Sequence, residues 1–274
     1  MTYIIWNHDG MLFDLGFYAL RWYSLLFALG FVICYYLLKR RFIKEQVPLE
    51  KLDKITIYSI AGAVIGARLG HCLFYDFEYY SQHLLEIFLP FQFEPTFEFI
   101  GYRGLASHGG GIAILIALII CSRKYKMDLL WIFDRLAVVA PIAAASIRFG
   151  NFMNSEIIGN PTTVPWAFIF QRVDNIPRHP GQLYEAVVYL IIFGVLYTLN
   201  KRQKKGNGFI FGLFMIMVFS ARFIIEFFKA DQSAFEAGMM INMGQVLSIP
   251  FVILGITLMV LKRKEAKADK ETEL

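Results

Sequence analysis

Thirteen consecutive residues, Arg148-Phe-Gly-Asn-Phe-Met-Asn-Ser-Glu-Ile-Ile-Gly-Asn160, carry a cation, three side-chain amides, a carboxylate and two glycines. They follow an apolar run that closes on Ala143-Ala-Ala-Ser146. Arginine suits an oxyanion because its planar fork offers several donors and stays charged. Amides and a carboxylate beside it can orient that fork or hold hydroxyl groups. This inventory fits a site for an anionic head group. Arg222 and Glu226 stand four apart, so they share one helix face. They either neutralise each other, or Glu226 orients Arg222 toward a phosphate; the two readings are compatible. His108 precedes three glycines, which are expected to clear side chains from beside an imidazole that titrates near neutral pH and so suits proton transfer. A lone histidine in a helix also serves as a helix–helix hydrogen-bonding residue.

The elements that must position these groups are membrane helices. The chain has 274 residues, 57% hydrophobic and 18% charged, with a mean hydropathy of +0.51. Soluble domains average about 45–50% apolar and about 25% charged. Several runs reach about 20 apolar residues, enough to cross a hydrocarbon core. They are continuously apolar rather than alternating, which argues against a β-barrel. The net charge of +5 sits in short loops, with no basic–aromatic platform of the kind that binds nucleic acid. Cys34, Cys72 and Cys121 form no Cys-x-x-Cys pair. They read as small hydrophobes, with no disulfide framework and no metal site.

The expected fold is an all-α polytopic membrane protein with seven transmembrane helices, at about 18–38, 55–75, 104–122, 129–147, 182–199, 209–228 and 243–261. Residues 1–17 lack Lys and Arg, unlike the basic start of a cleaved signal peptide. Lys39-Arg-Arg41 with Lys44, then Arg123, Lys124 and Lys126, then Lys201, Arg202, Lys204 and Lys205, and Lys262-Arg-Lys264 all fall on one side. By the positive-inside rule that side is cytoplasmic, which puts the N-terminus outside. Residues 76–103 are acidic and aromatic and are expected to form a small external subdomain. Residues 262–274 are expected to be a disordered cytoplasmic tail. Gly62, Gly66 and Gly70 form a ladder that lets a neighbouring helix approach closely.

With this topology Tyr23, Arg68, His108, Arg148, Asn151, Glu156, His179, Gln182 and Glu185 all lie at or near the outer face. Arg222 and Glu226 lie in the outer half of the sixth span. Arg68 is a functional candidate because an intramembrane arginine is expensive; snorkelling or pairing with a carboxylate is the alternative. Tyr23 could belong to the interfacial aromatic belt. The inner halves of the spans are almost purely apolar, and no internal repeat is visible, which disfavours a transporter built from inverted halves.

The stretch Arg148 to Gly159 closely resembles the signature of the bacterial prolipoprotein diacylglyceryl transferase family. The resemblance extends over nearly the whole chain, in order: Arg21-Trp-Tyr23, Gly66-Ala-Arg68, Ser107-His-Gly-Gly-Gly111, Arg178-His-Pro-Gly-Gln-Leu-Tyr-Glu185, Arg222-Phe-Ile-Ile-Glu-Phe-Phe228 and Met243-Gly-Gln-Val-Leu-Ser-Ile-Pro250. It implies a multi-pass enzyme of the bacterial inner membrane with its site facing the outer leaflet. It also implies transfer of a diacylglyceryl group from phosphatidylglycerol to the lipobox cysteine of a prolipoprotein. The counterparts of Tyr23, His108, Arg148, Asn151, Glu156, Gly159, Arg222 and Glu226 matter for function in such proteins, and the Arg148 counterpart is associated with phosphatidylglycerol. The family often has a tyrosine where this chain has Val218.

The implied chemistry fits the residues. A substrate thiol attacks the glycerol carbon bearing the phosphate ester, so no enzyme nucleophile, metal or cofactor is called for. The leaving phosphate gains charge that arginines in a dry site can stabilise. On this reading Arg148 and Arg222 take the phosphate, and Asn151, Glu156, Gly159 and Glu226 serve substrate binding together with Arg68 and His179. His108 or Tyr23 accepts the thiol proton. Competing readings are another phosphatidylglycerol-processing membrane enzyme and a seven-span transporter.

Overall fold

The computed structural model describes residues 3–14, 16, 19–93, 97–99, 104, 106–200, 208–230 and 239–272, without the side chains of Ser107 and of 262–272. The loop charges Arg103, Lys201, Arg202, Lys204, Lys205, Asp231 and Glu236 lie outside the described residues. In chain order the elements are β1 (Ile4–Trp6), β2 (Met11–Asp14), β3 (Ala19–Arg21), α1 (Trp22–Lys44), α2 (Leu49–Phe74), α3 (Phe77–Gln82), α4 (Leu84–Phe88), β4 (Phe91–Gln92), β5 (Glu98–Phe99), α5 (Ser107–Lys124), α6 (Leu129–Met153), β6 (Phe168–Phe170), β7 (Pro177–Arg178), α7 (Gly181–Asn200), α8 (Phe209–Ile225), a 3-10 turn (Glu226–Phe228) and α9 (Met243–Thr272).

Among the described residues, six helical stretches are long and apolar enough to cross a membrane: Trp22–Lys44, Leu49–Phe74, Leu129–Met153, Gly181–Asn200, Phe209–Phe228 and Met243–Leu261. The remaining expected span corresponds to α5, a helix of 18 residues. Large apolar side chains such as Val32, Ile65, Ile112, Ile191 and Ile253 point outward, as they can where lipid replaces water around a helix whose backbone groups are satisfied internally.

Several boundaries differ from hydropathy. α1 continues to Lys44 and α2 begins at Leu49, because charged Lys, Arg and Glu are good helix formers that extend a helix into water. The same propensity continues the backbone of α9 to Thr272. α6 runs to Met153, so Arg148 and Asn151 belong to its last turns rather than to a following loop. Three small sheets, β1-β6-β7, β2-β3 and β4-β5, add to the helices.

The described chain divides into two compact units, residues 39–132 and residues 1–38 with 133–274. In the first, α2 and α5 pack through the expected glycine ladder. A Cβ on Gly62 would lie 2.9 Å from the Ala113 carbonyl, one on Gly66 2.5 Å from the Gly109 carbonyl, and one on Gly70 2.8 Å from Gly109 Cα. Residues 76–93 fold over α2. The Glu86 carboxylate, buried, accepts from Tyr79 Oη at 2.8 Å and the Phe93 amide at 2.8 Å. In the second unit the core joins Ala137, Val138 and Ala145 of α6, Ala186, Tyr189, Ile192 and Leu196 of α7, and Ile210 of α8. α8 and α9 meet at Gly212 and Gly255, where a Cβ on either would come within 3 Å of the other's carbonyl oxygen.

Candidate functional site

The site is built on the C-terminal turns of α6. Arg148 and Asn151 are three apart and meet on one helix face. Arg148 Nη1 donates to Asn151 Oδ1 at 3.2 Å. Its Nε sits 2.8 Å from Glu185 Oε2 in the first turns of α7. Asn151 Nδ2 donates onward to Glu156 Oε2 at 2.9 Å, and Asn154 Nδ2 to the other carboxylate oxygen at 3.0 Å. The expected cluster of arginine, amides and carboxylate is therefore one hydrogen-bonded network.

The turn that presents Glu156 is strained. Ser155 and the β-branched Ile157 flank it with φ of +57° and +55°, a region that costs non-glycine residues on the order of 1–3 kcal/mol each. The surroundings hold it there. The Glu156 amide donates to the Asn151 carbonyl at 2.9 Å, and the fully buried Gln182 donates to the Glu156 carbonyl through Nε2. Gly159 closes the stretch. Its amide donates to the His179 carbonyl at 2.9 Å, and it bridges Lys229 in antiparallel fashion. An added Cβ would lie 2.4 Å from the His179 carbonyl oxygen and 2.6 Å from that of Phe228, so only glycine fits between the two strands of chain.

Tyr23 stands in the first turn of α1 with its ring on Gly150, where a Cβ would come within 2.7 Å of Cδ2. Its hydroxyl lies within electrostatic range of Glu156 and Arg148. Tyr189 of α7, buried, interacts electrostatically with both Arg148 and Arg222 and donates to Glu185 Oε1 at 3.4 Å. Val218, at the position where a tyrosine was noted, packs against the α6–α7–α8 core.

Arg222 and Glu226 do not pair. Glu226 falls in the 3-10 turn after α8, and its carboxylate takes Lys229 Nζ at 2.9 Å. It also lies against Gly244 at the start of α9, where a Cβ would be 2.6 Å from the carboxyl carbon. Arg222 is left with no ion-pair or hydrogen-bond partner among the described residues, and its Nε is buried. Lys229, with a fully buried side chain, also approaches Glu185 Oε2 at 3.9 Å. Lys229 was not singled out from the sequence, although its i,i+3 spacing from Glu226 was a usable signal. Glu185 and Gln182 were placed at the outer face without a role.

His179 serves mainly through its backbone, which pairs with Gly159 and Asn160. Its ring packs edge-on to Tyr184 and Phe228, with Nδ1 3.0 Å from the Tyr184 hydroxyl. Burial holds its pKa below the ordinary 6.5, which favours the neutral ring.

The remaining two candidates lie in the unit 39–132. Arg68, 4% exposed, donates to the carbonyls of Glu86 and Ile87 and stacks over the Tyr80 ring at 4.7 Å. Those contacts anchor α4 to α2, a structural use of its charge. His108 is exposed in the first turn of α5. Its glycines do not all open space beside it. Gly109 and Gly110 carry the packing on α2, and only Gly111 has nothing within 4 Å of an added Cβ. The close helix approach won over the expected substrate access.

The network sets an oriented guanidinium, that of Arg148, beside hydrogen-bonding amides. The family model for prolipoprotein diacylglyceryl transferase matches residues 10–261. The chain is 48% identical over 264 residues to the phosphatidylglycerol–prolipoprotein diacylglyceryl transferase of Tolumonas auensis, covering 96% of this chain and 98% of the relative. It is 46% identical over 270 residues to that of Bacteroides fragilis, with 96% and 98% covered. It is 43% identical over 272 residues to that of Chloroherpeton thalassium, with 98% of each covered. A match of this length and identity means that the chain belongs to the prolipoprotein diacylglyceryl transferase family.

Proposed function

We propose that this protein transfers the diacylglyceryl group of phosphatidylglycerol to the thiol of the lipobox cysteine in the signal peptide of a prolipoprotein. A bond forms between the cysteine sulfur and the glycerol carbon of the lipid. The bond from that carbon to the phosphate-ester oxygen breaks, and glycerol phosphate leaves with the electron pair. The thiol proton passes to a base and then to solvent or product. The relatives' names supply the substrates.

One observation carries the assignment of the phosphate. Arg148 and Lys229 contact two buried carboxylates, Glu185 and Glu226, while Arg222 has no ion-pair partner among the described residues. A phosphodiester carries one negative charge and would give Arg222 a counter-ion. Arg148 and Arg222 hold the phosphate in this reading and stabilise the charge that grows on it as the carbon–oxygen bond breaks. Asn151 and Glu156 hold the glycerol hydroxyls or orient Arg148, and Gly159 and Glu226 shape the binding site. His108 accepts the thiol proton, with Tyr23 as the second candidate. A thiol has a pKa of about 8.5, so a base speeds its attack.

The reading includes the topology. α5 joins the six longer helices as a seventh span, the N-terminus lies outside, the C-terminus is cytoplasmic, and the site faces the outer leaflet of the bacterial inner membrane. The one-sided Lys and Arg loops support this.

The test uses purified full-length protein, phosphatidylglycerol and a lipobox peptide, and reads the peptide's mass. The expected product is a peptide heavier by one diacylglyceryl group on cysteine. Consumption of phosphatidylglycerol with an unchanged peptide would instead point to a different phosphatidylglycerol-processing reaction. His108→Gln is expected to abolish transfer in a folded, inserted protein; full activity would remove His108 from the reaction.

A further inference from the structure

Glu226 has two cations within helical reach. Arg222 stands four residues before it, a spacing that ordinarily makes an ion pair. Lys229 stands three residues after it and takes the carboxylate, with Nζ at 2.9 Å. Two structural features favour that outcome. The helix gives way to a 3-10 turn at Glu226, which turns its carboxylate toward the following residues. The backbone at Lys229 is fixed by its bridge to Gly159, while its stem lies on Gly181, 3.2 Å from where a Cβ would stand. The Lys229 side chain is fully buried and lies between Glu226 and Glu185.

We propose that Lys229 is a positioning residue that sequesters Glu226 and thereby keeps the guanidinium of Arg222 open for the substrate phosphate. Without Lys229, Glu226 would be a buried carboxylate with no counter-charge, and a buried charge left unpaired is strongly unfavourable. The cation available on its own helix face is Arg222. Their pairing would fill the anion site from within. Lys229 also adds a second counter-charge to Glu185, so that carboxylate is shared between Arg148 and Lys229. The inference rests on the assignment of the phosphate to Arg222.

The experiment measures KM for phosphatidylglycerol, as mole fraction in mixed micelles, and KM for the lipobox peptide. It compares Lys229→Met, Lys229→Arg, Arg222→Gln and two doubles, Lys229→Met with Glu226→Gln and Lys229→Met with Arg222→Gln. Rates are normalised to folded protein. Lys229→Met should raise the lipid KM roughly tenfold or more, with peptide KM unchanged. Lys229→Arg retains the cation and should stay near the parent. Glu226→Gln added to Lys229→Met should bring the lipid KM below that of Lys229→Met alone, because no carboxylate remains to clasp Arg222. In the Arg222→Gln background, Lys229→Met should raise lipid KM no further. A structural role would lower melting temperature while leaving lipid KM unchanged, and would add its loss in both backgrounds; either result overturns the proposal. If Lys229→Met fails to accumulate, Lys229→Gln takes its place in each comparison. An unchanged lipid KM in Arg222→Gln alone would refute the phosphate assignment itself. A raised KM there with a normal KM in Lys229→Met would refute only the role of Lys229.

Discussion

Glu185→Gln tests how far Arg148 depends on its carboxylate. The substitution keeps shape and one acceptor oxygen but removes a charge from a fully buried position that Arg148 Nε contacts at 2.8 Å and Lys229 Nζ approaches at 3.9 Å. The Arg148 side chain is 15% exposed, so water screens the pair little. Removing one partner of a buried ion pair costs about 3–5 kcal/mol. Glutamine still accepts one bond, which brings the expected loss to about 2–3 kcal/mol, most of it borne by the positioning of Arg148. At about 1.36 kcal/mol per tenfold, kcat/KM should fall roughly 30- to 150-fold. The assay is peptide modification with phosphatidylglycerol, normalised to protein that elutes as folded in detergent. Glu185→Asp, which restores charge on a shorter stem, should recover part of the loss. A Glu185→Gln enzyme within threefold of the parent would refute the argument that this carboxylate holds Arg148 in place.

Three further outcomes follow from the geometry. Gly159→Ala should destabilise the protein by about 1–3 kcal/mol through overpacking, because its Cβ would meet two carbonyl oxygens within 2.6 Å; a normal melting temperature would contradict this. Gly109→Ala should lower the melting temperature while Gly111→Ala should not, since a Cβ on Gly109 would lie 2.8 Å from Gly70 Cα and one on Gly111 would meet open space. His179 has a folded pKa below its ordinary 6.5 because it is buried. The unfolded chain therefore takes the proton first, and stability should be full above pH 6.5 and fall as pH drops from there toward the lower folded value. Melting curves of the parent and His179→Gln between pH 7.5 and about 5 should show a smaller decline in the variant.

The membrane class, the helices and the grouping of Arg148 with Asn151 and Glu156 were legible because they rest on hydropathy and local spacing. The glycine ladder of α2 named its own purpose. Helix ends were less legible, since hydropathy marks where a chain leaves lipid and not where its helix stops; Arg148 was read as lying beyond a helix that in fact carries it. The pairing of β1 with β6 joins Ile4 to Phe168, a contact across the chain that no local pattern announces. Arg222 and Glu226 misled for a related reason. Their spacing promises a pair on a regular helix, but the helix changes form at Glu226 and a neighbouring cation takes the carboxylate. Arg68 stood out on cost alone, and its donation to two backbone carbonyls of a short helix distant in sequence was not legible.

The central claim is that a thiol displaces glycerol phosphate at carbon. Phosphatidylglycerol labelled with oxygen-18 in the ester bridge between the diacylglyceryl carbon and phosphorus, incubated with purified protein and lipobox peptide, tests it directly by the masses of both products. The expected products are a peptide carrying an unlabelled diacylglyceryl group and a glycerol phosphate carrying the label. An unmodified peptide, or a label retained on the diacylglyceryl group, would contradict it.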